Sequence, residues 1–253
     1  YIAKRLIQVI PAILVTSFII FFAMNLTAGD PAQIIAGDKA TPEQLEKVRE
    51  ELGLNQPVVT RYIRYMAGLI RGDMGNSFIT KKDVFQTFMN RLAATLELSF
   101  ASVFIAIVIS IPLGIYTAIK QNTWKDSAGM VFALFGVSMP NFWLGLMLII
   151  AFSLKLGWFP SGGKAGIESL VLPAVTVGLS LAAQITRTTR SSMLDVIRQD
   201  YMRTARAKGA SEHRVIYKHG LNNALIPIIT VIGLQLSYVL TGSVLAETVF
   251  AWP

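Results

Sequence analysis

Long apolar runs without a regular polar interruption dominate this chain. A helix needs about 20 apolar residues to cross the hydrocarbon core of a bilayer. The runs do not alternate with period two, so they predict helices rather than the strands of a membrane barrel. We therefore predict an all-α fold, that of a polytopic helical membrane protein. Its five predicted spans cover residues 6–27, 95–119, 128–154, 169–186 and 223–246.

The composition supports this fold class. Of the 253 residues, 53% are hydrophobic and 15% are charged, against about 25% charged in ordinary globular domains. The formal net charge of +8 would suggest a nucleic-acid partner in a soluble protein, but the preference of basic residues for cytoplasmic loops explains it more simply. We therefore predict the lipid bilayer, and no nucleic acid, as a partner. The absence of cysteine excludes disulfides and thiolate metal sites.

Basic residues are concentrated on one side of the predicted spans. Lys4 and Arg5 precede the first span, and two lysines lie in the loop 120–127. The loop 187–222 holds eight basic residues against three acidic ones. These segments predict a cytoplasmic N-terminus and a cytoplasmic loop 187–222. The apolar run after Lys4 and Arg5 resembles a signal peptide, but its length and the lack of a small-residue cleavage site favour a retained span.

The spans divide the chain into three predicted parts. These are a first transmembrane span at 1–27, an extracytoplasmic helical insert at 28–94 and a core transmembrane domain at 95–253. Within the insert, residues 41–44 (TPEQ) are typical of a capped helix start. A second helix is predicted at 58–71. The role of the insert stays open between a lid, a docking surface for an external partner and a spacer.

Prolines lie within three of the predicted spans, and one of them interrupts its span. Pro11 and Pro112 lie inside apolar helices, and Pro140 lies within the third span. A proline frees backbone groups that must be satisfied by protein or by a water-filled cavity. Two interpretations of the third break stay open: its residues line a translocation pathway, or they only pack the kink. The residues concerned are Ser138, Met139, Pro140 and Asn141.

The motifs of several enzyme classes are missing from the sequence. There is no phosphate-binding G-x-x-x-x-G-K-[ST] loop, so the chain itself is not expected to hydrolyse ATP. His213 and His219 lie six residues apart, a poor spacing for a metal site on one helical face. We therefore predict no catalytic residue, no metal site and no enzyme activity. Few ionisable residues lie within the spans, which argues against a self-powered carrier; a self-contained channel or secondary carrier remains the alternative.

The basic loop 187–222 has a helical pattern of its own. Residues 200–208 predict one short helix, Gly209 a turn, and Ser211 the cap of a second helix that runs to about 219. The basic residues suit either an acidic partner or anionic lipid headgroups. Charge alone does not choose between these two partners.

The phrases TARAKG (204–209) and HGLNNALIP (219–227) resemble the cytoplasmic loop of bacterial ABC importer permeases, in particular those of the dipeptide/oligopeptide/nickel family. Other phrases of that family recur in order along the chain, among them SMPNFWL (138–144). Two positions depart from the general importer motif. Arg203 stands where that motif has a glutamate, and Asn222 stands where a proline would follow the leucine. Both departures match the peptide/nickel branch.

The resemblance implies a type I ABC importer permease fold in the bacterial cytoplasmic (inner) membrane, with five spans present and a sixth truncated. It also implies that the loop 187–222 forms a coupling helix, docked in a groove on a cytoplasmic ATPase subunit. The coupling residues would be Arg203, Thr204, Ala205, Arg206, Ala207, Lys208, Gly209, Ala210, Ser211 and Leu221.

The same resemblance implies a set of partners. They are a second homologous permease subunit, two cytoplasmic ATPase subunits that bind ATP and Mg²⁺, and an extracytoplasmic solute-binding protein. The chain would bind no cofactor itself and would act as a transmembrane permease subunit of an ATP-driven importer. The expected cargo is dipeptides or oligopeptides, with nickel, free or chelated, as the next candidate.

Overall fold

The computed structural model describes residues 2–26, 30–37, 40–77 and 79–253. The described residues are mostly helical, and the only extended pairing among them is an isolated antiparallel bridge between Asn76 and Asp83. The all-α prediction is confirmed. The predicted end of the first span at Thr27 and the start of the insert at Ala28 lie outside the described residues.

The chain folds as two compact units, residues 1–90 and 91–253. The helices of the first unit are α1 (Ile2–Leu26), α2 (Pro31–Ala36), α3 (Pro42–Glu51) and α4 (Val58–Ile70). The long helix α5 (Val84–Ile119) begins in the first unit and continues into the second. The second predicted span was expected to begin at 95, but the helix begins before it, because the polar residues that end an apolar run need not end a helix.

The predicted start of α3 is confirmed in detail. The Thr41 hydroxyl accepts a hydrogen bond from the Gln44 N–H at 3.3 Å, and the Gln44 side chain accepts one from the Thr41 N–H at 3.0 Å. Pro42 occupies the first helical position, where its missing N–H costs nothing. The four residues therefore form a capping box that fixes where the helix begins.

An ion pair joins α3 to the start of α2. Asp30 caps α2 by accepting a hydrogen bond from the Ala32 N–H at 3.0 Å, and it also pairs with Arg49 of α3. The Arg49 hydrogen bond, followed by the Ala32 hydrogen bond, holds the pKa of the Asp30 carboxyl below its usual range. The pair thus fixes the angle between two short helices.

Tyr62 of α4 packs against α1. Its hydroxyl donates to the Leu14 carbonyl at 3.0 Å and lies 2.7 Å from the Ser17 hydroxyl. Its ring meets Phe18 edge to face, with 5.1 Å between the ring centroids. The helix predicted at 58–71 therefore packs within its own unit, and the polar tip of the tyrosine is satisfied there.

The second unit adds six helices and two π-helical segments to the α5 stretch from Arg91 onward. They are α6 (Trp124–Ser138), α7 (Asn141–Leu148), the segment π1 (Ile149–Lys155), α8 (Ile167–Ile197), α9 (Asp200–Ala207), the segment π2 (Arg214–Leu221), α10 (Asn222–Gly242) and α11 (Val244–Val249). By length and composition, four helices of the described residues are able to cross a membrane, and a fifth span is formed if α6 and α7–π1 count as one.

The third predicted span is broken rather than straight. The helical pieces Trp124–Ser138 and Asn141–Lys155 meet at an angle of 98°. Met139, which precedes Pro140, has an extended backbone (φ −92°, ψ 130°), the conformation that a proline favours for the residue before it. The helices α1 and α5 continue through Pro11 and Pro112. The interruption predicted at Pro140 is confirmed, and it is a sharp bend instead of a mild kink.

The fourth predicted span ended too early. It was expected to cover 169–186, with residues 187–197 in a loop, but α8 continues to Ile197. Thr189 and Met193 are buried on the same side as Thr186, so the inward face of the helix persists beyond the apolar run. Arg187 and Arg190 end the apolar run there, but the helix continues to Ile197.

Helix α8 is the centre of the second unit. Its residues Leu181 and Ile185 pack in one cluster with Val103 of α5 and Val239 of α10. Small residues let the backbones come close: a Cβ at Gly136 of α6 would lie 2.5 Å from the carbonyl oxygen of Leu179, and one at Gly178 would lie 2.9 Å from that of Ser102. The close approach of α5, α6 and α8 therefore depends on glycine.

The end of the chain is fixed to the start of this unit. The Trp252 indole N–H donates to the Ala94 carbonyl at 3.0 Å, and the Gly163 N–H donates to the Phe250 carbonyl at 2.8 Å. Glu247 accepts hydrogen bonds from the Thr95 and Ser243 hydroxyls, each at 2.8 Å. These contacts hold the loop before α8 and the segment after α11 at one end of the helices.

The Gly136–Leu179 contact predicts that α6 and α8 cannot pack this closely with a larger residue at position 136. Gly136→Val should lower the stability of the protein by about 1–3 kcal/mol, because a backbone oxygen cannot move aside for the new side chain. Thermal unfolding in detergent micelles measures the effect. Gly233→Ala in α10 is the matched control, since nothing lies within 4 Å of its Cβ position. Equal melting temperatures for Gly136→Val and the wild type would contradict the claim.

Candidate functional site

The basic loop is helical on both sides of one turn. Helix α9 covers Asp200–Ala207, close to the predicted 200–208. The second predicted helix is not a separate element, because the helical backbone resumes after Ser211 and runs through π2 into α10 without a break. The prediction that it ends near 219 was therefore wrong. A π-helical segment absorbs the irregularity, and Asn223 is held by a hydrogen bond to the His219 carbonyl at 2.7 Å.

The turn at Gly209 is confirmed. Its φ is +78°, and its N–H donates to the Arg206 carbonyl at 2.9 Å. The next residue, Ala210, donates to the Ala205 carbonyl at 3.2 Å. Nothing lies within 4 Å of the Gly209 Cβ position. Glycine is therefore favoured here for its left-handed backbone conformation and leaves the surface of the turn open.

Most of the predicted coupling residues lie on the surface. Arg206 pairs across the turn with Glu212, with 2.7 Å between Nε and the carboxylate oxygen, and holds the two arms of the loop together. The exposed members are Arg203, Thr204, Arg206, Ala207, Lys208, Gly209 and Ser211, whereas Ala205, Ala210 and Leu221 are half-buried. A short helix with this open surface, which carries three basic side chains, is suited to docking against another protein.

One buried side chain anchors α9. Met202 is fully buried, and a Cβ at Gly220 would lie 3.3 Å from the Cε atoms of both Met202 and Met193 of α8. The thioether chains thus fill the space that Gly220 leaves open. The sequence-based prediction did not include Met202, because it rested on the charged residues of the loop and not on its apolar ones. The signal was present as a single apolar residue in the first turn of a basic helix.

A cleft of about 530 Å³ opens at the bend between α6 and α7. Three of the four predicted pathway residues, Met139, Pro140 and Asn141, line it. Ser138 does not, and its hydroxyl donates to the Leu134 carbonyl at 2.9 Å. The lining residues are Val137, Met139, Pro140, Asn141, Ser180, Leu181, Gln184, Gln235 and Tyr238. The fold therefore brings α6, α7, α8 and α10 together around the break.

The cleft carries neutral polar groups that the sequence analysis missed. Gln184 and Gln235 lie within apolar runs and carry no charge, so the charge pattern of the sequence does not mark them. Among the described residues, no hydrogen-bond partner exists for the side chains of Asn141, Gln184, Gln235 and Tyr238. Each amide offers both donors and an acceptor, and the phenol offers one of each. The cleft is thus equipped to hydrogen-bond a polar solute without an opposing charge.

The sequence matches two family models. Residues 110–253 match the binding-protein-dependent transport system inner membrane component, and residues 1–99 match the N-terminal part of the membrane component of such systems. The chain is 42% identical over its whole length to the glutathione transport system permease protein GsiC of Salmonella paratyphi A, and 41% identical to the protein of that name in Escherichia coli strain K12. Both alignments cover 83% of the relative.

A solved structure is also similar. The crystal structure of an amino acid ABC transporter with histidines aligns with 64% of this chain and 71% of that chain, at 15% sequence identity and a TM-score of 0.48.

The Met202 anchor predicts how α9 is held. Met202→Ala should weaken the packing of α9 on α8 by about 2–5 kcal/mol, as for other large-to-small core changes. Amide hydrogen exchange should then be faster at residues 203–207 than in the wild type. Tyr201→Ala serves as control, because that neighbouring side chain is 41% exposed. Unchanged exchange in Met202→Ala would show that α9 does not depend on this contact.

Proposed function

Because the chain belongs to the family of binding-protein-dependent transport system inner membrane components, we propose that it is one of two permease subunits of an ATP-driven importer. It lines the translocation pathway together with a homologous subunit. Its apolar helices support a multi-pass position in the bacterial inner membrane. Family membership favours this function over a self-contained channel or secondary carrier.

The proposed cargo is a short peptide such as glutathione. The relatives named above are glutathione permeases, and glutathione is itself a tripeptide. The cleft at the α6–α7 bend supports this cargo most directly, because its unpaired amides match the alternating donors and acceptors of peptide bonds. Nickel, free or chelated, ranks second, since the Met139 thioether is the one soft donor in the cleft lining.

The proposed orientation follows the charge of the loops. The N-terminus and the segment 187–222 face the cytoplasm, where basic residues are preferred. Helix α9 and the Gly209 turn then form the coupling surface for an ATPase subunit, one beneath each permease. ATP and Mg²⁺ bind to the ATPase subunits. The exposed surface from Arg203 to Ser211 supports this role, because it is presented on a fixed turn rather than on a loose loop.

The insert is proposed to dock the external solute-binding protein. A second cleft, of about 450 Å³, lies within the first unit and is lined in part by Asn25, Asn55 and Arg61. Among the described residues, the Arg61 guanidinium makes no hydrogen bond and no ion pair. A free guanidinium in a cleft is suited to a carboxylate of a partner protein.

The proposed mechanism is alternating access. ATP binding closes two ATPase subunits, which moves the two coupling helices together. The packed helices behind them rotate as rigid bodies and expose the cleft to one side of the membrane and then to the other. The binding protein delivers cargo when the pathway faces outward.

Transport in a reconstituted system tests this function. The full complex in liposomes should import labelled glutathione only with ATP and the binding protein present. Gln184→Leu and Gln235→Leu should each lower uptake about fivefold, as expected for one lost hydrogen bond of about 1 kcal/mol. Ser237→Ala is the control, because this α10 residue does not line the cleft. Uptake without ATP would overturn the importer proposal, and full uptake by both variants would remove the cleft from the pathway.

The Gly209 turn provides a separate test of coupling. Gly209→Trp should leave the chain in the membrane but uncouple transport from hydrolysis, because a bulky ring then covers the open turn. Gly209→Asn is the matched control, since asparagine tolerates a positive φ and adds little bulk. ATP hydrolysis and uptake are measured on the same liposomes. Normal uptake by Gly209→Trp would contradict the docking of this turn on the ATPase.

A further inference from the structure

The most buried ion pair of the described residues joins α6 to α8. The Arg190 guanidinium grips Asp126 with two hydrogen bonds, from Nε to Oδ1 at 2.7 Å and from Nη2 to Oδ2 at 2.6 Å. The Asn122 N–H donates to the same carboxylate at 3.1 Å. The side chains are 8% exposed for Asp126 and 24% for Arg190. Every carboxylate oxygen of Asp126 is thus satisfied.

This geometry resists sliding and rotation. Apolar side chains allow two helices to shift against each other with little loss, whereas a two-point, planar contact holds distance and angle together. Burial of both charges costs desolvation energy, so such pairs are weak evidence for stability and are better explained by specific positioning. The pair is suited to carrying a displacement from one helix to the other.

Helices α6 and α8 also touch at a second point, about three helical turns away from the ion pair. Gly136 of α6 lies directly against the Leu179 carbonyl of α8. From Asp126 to Gly136, α6 rises about 15 Å, and from Leu179 to Arg190, α8 rises about 16 Å. The two helices therefore run antiparallel and are tied at both ends of one stretch, so that they move as a single body.

Each end of this body meets a different functional element. Close to Arg190, Met193 of α8 and Met202 of α9 both lie against Gly220 of π2. At the far end, α6 stops at Ser138 and the chain bends at Met139 into the cleft. A displacement of α9 thus reaches the cleft through α8, whose Ser180 and Gln184 line it, and through α6, which the ion pair joins to α8.

We propose that Asp126 and Arg190 form the link that transmits movement of the coupling helix α9 to the bend that lines the cleft. Both are positioning residues and touch neither cargo nor nucleotide. The inference rests on the proposed importer function and adds to it the route between the ATPase contact and the pathway. Breaking the pair leaves ATP hydrolysis running while the bend follows it less closely, because only the Gly136–Leu179 end of the tie remains.

The test compares cargo imported per ATP hydrolysed in liposomes that contain the full complex. Asp126→Asn and Arg190→Gln should each lower this ratio about fivefold or more, within the usual range of a coupling free energy. The double variant Asp126→Arg with Arg190→Asp rebuilds the pair in reverse and should restore most of the ratio. Lys125→Gln is the control, because this neighbour on α6 is exposed and its ammonium group contacts only the ring of the adjacent Trp124.

A second readout separates transmission from simple stabilisation. The chain has no cysteine, so Met139→Cys provides a unique position in this subunit for a fluorescent label in the cleft. ATP binding should change the label's emission in the Met139→Cys protein, and this change should be clearly smaller when Asp126→Asn is added. A merely structural ion pair would lower the melting temperature and leave this response intact.

The outcomes are distinguishable. If the wild-type complex shows no ATP-driven uptake, the importer proposal itself fails. If the wild type transports and the single variants keep its ratio and its label response, the link is overturned while the importer stands. Failure of the single variants to assemble, or no recovery in the reversed pair, also overturns the link, because the pair is then a folding element or its direct bond is not the cause.

Discussion

The demand that every backbone group be hydrogen-bonded inside a bilayer governs this structure. It forces the described apolar segments into helices, and it makes any interruption costly unless protein or water satisfies the freed groups. The one sharp interruption of a span in the described part of the chain, at Met139 and Pro140, coincides with a cleft whose lining includes amides and a phenol. The break and the polar lining are consistent with each other, because the site that tolerates irregular backbone is also the site that carries unpaired polar side chains.

Close packing around α8 lets a movement of one helix displace the residues at this break. Gly136 and Gly178 remove the side chains that would keep α6 and α5 at a distance. A bundle packed backbone to backbone moves in blocks rather than bending gradually. The bend, the buried Asp126–Arg190 pair and the Met202 anchor thus lie along one continuous path, and each uses a different kind of contact: steric, ionic and apolar.

The sequence predicted the helical class, the capping box at Thr41, the turn at Gly209 and the break at Pro140, because each depends on local backbone chemistry. It misplaced the ends of the helices near 84 and 197, since hydrophobicity marks where lipid ends and not where hydrogen bonding ends. It missed Gln184 and Gln235 in the cleft and Met202 under the loop. Those roles depend on which faces of distant helices meet, and no local pattern contains that information.

The length of α8 has a further consequence. Its 31 residues make a rod of about 46 Å, whereas the hydrocarbon core is about 30 Å thick. Its arginines and its aspartate lie between Arg187 and Ile197, and its one glutamate, Glu168, lies in the first turn, so we expect most of the surplus of about 16 Å to project from the Ile197 end. The basic turn after it stands on a stalk clear of the acyl chains, in salt water where charge acts over about 8 Å. A soluble subunit is able to grip it there without displacing lipid.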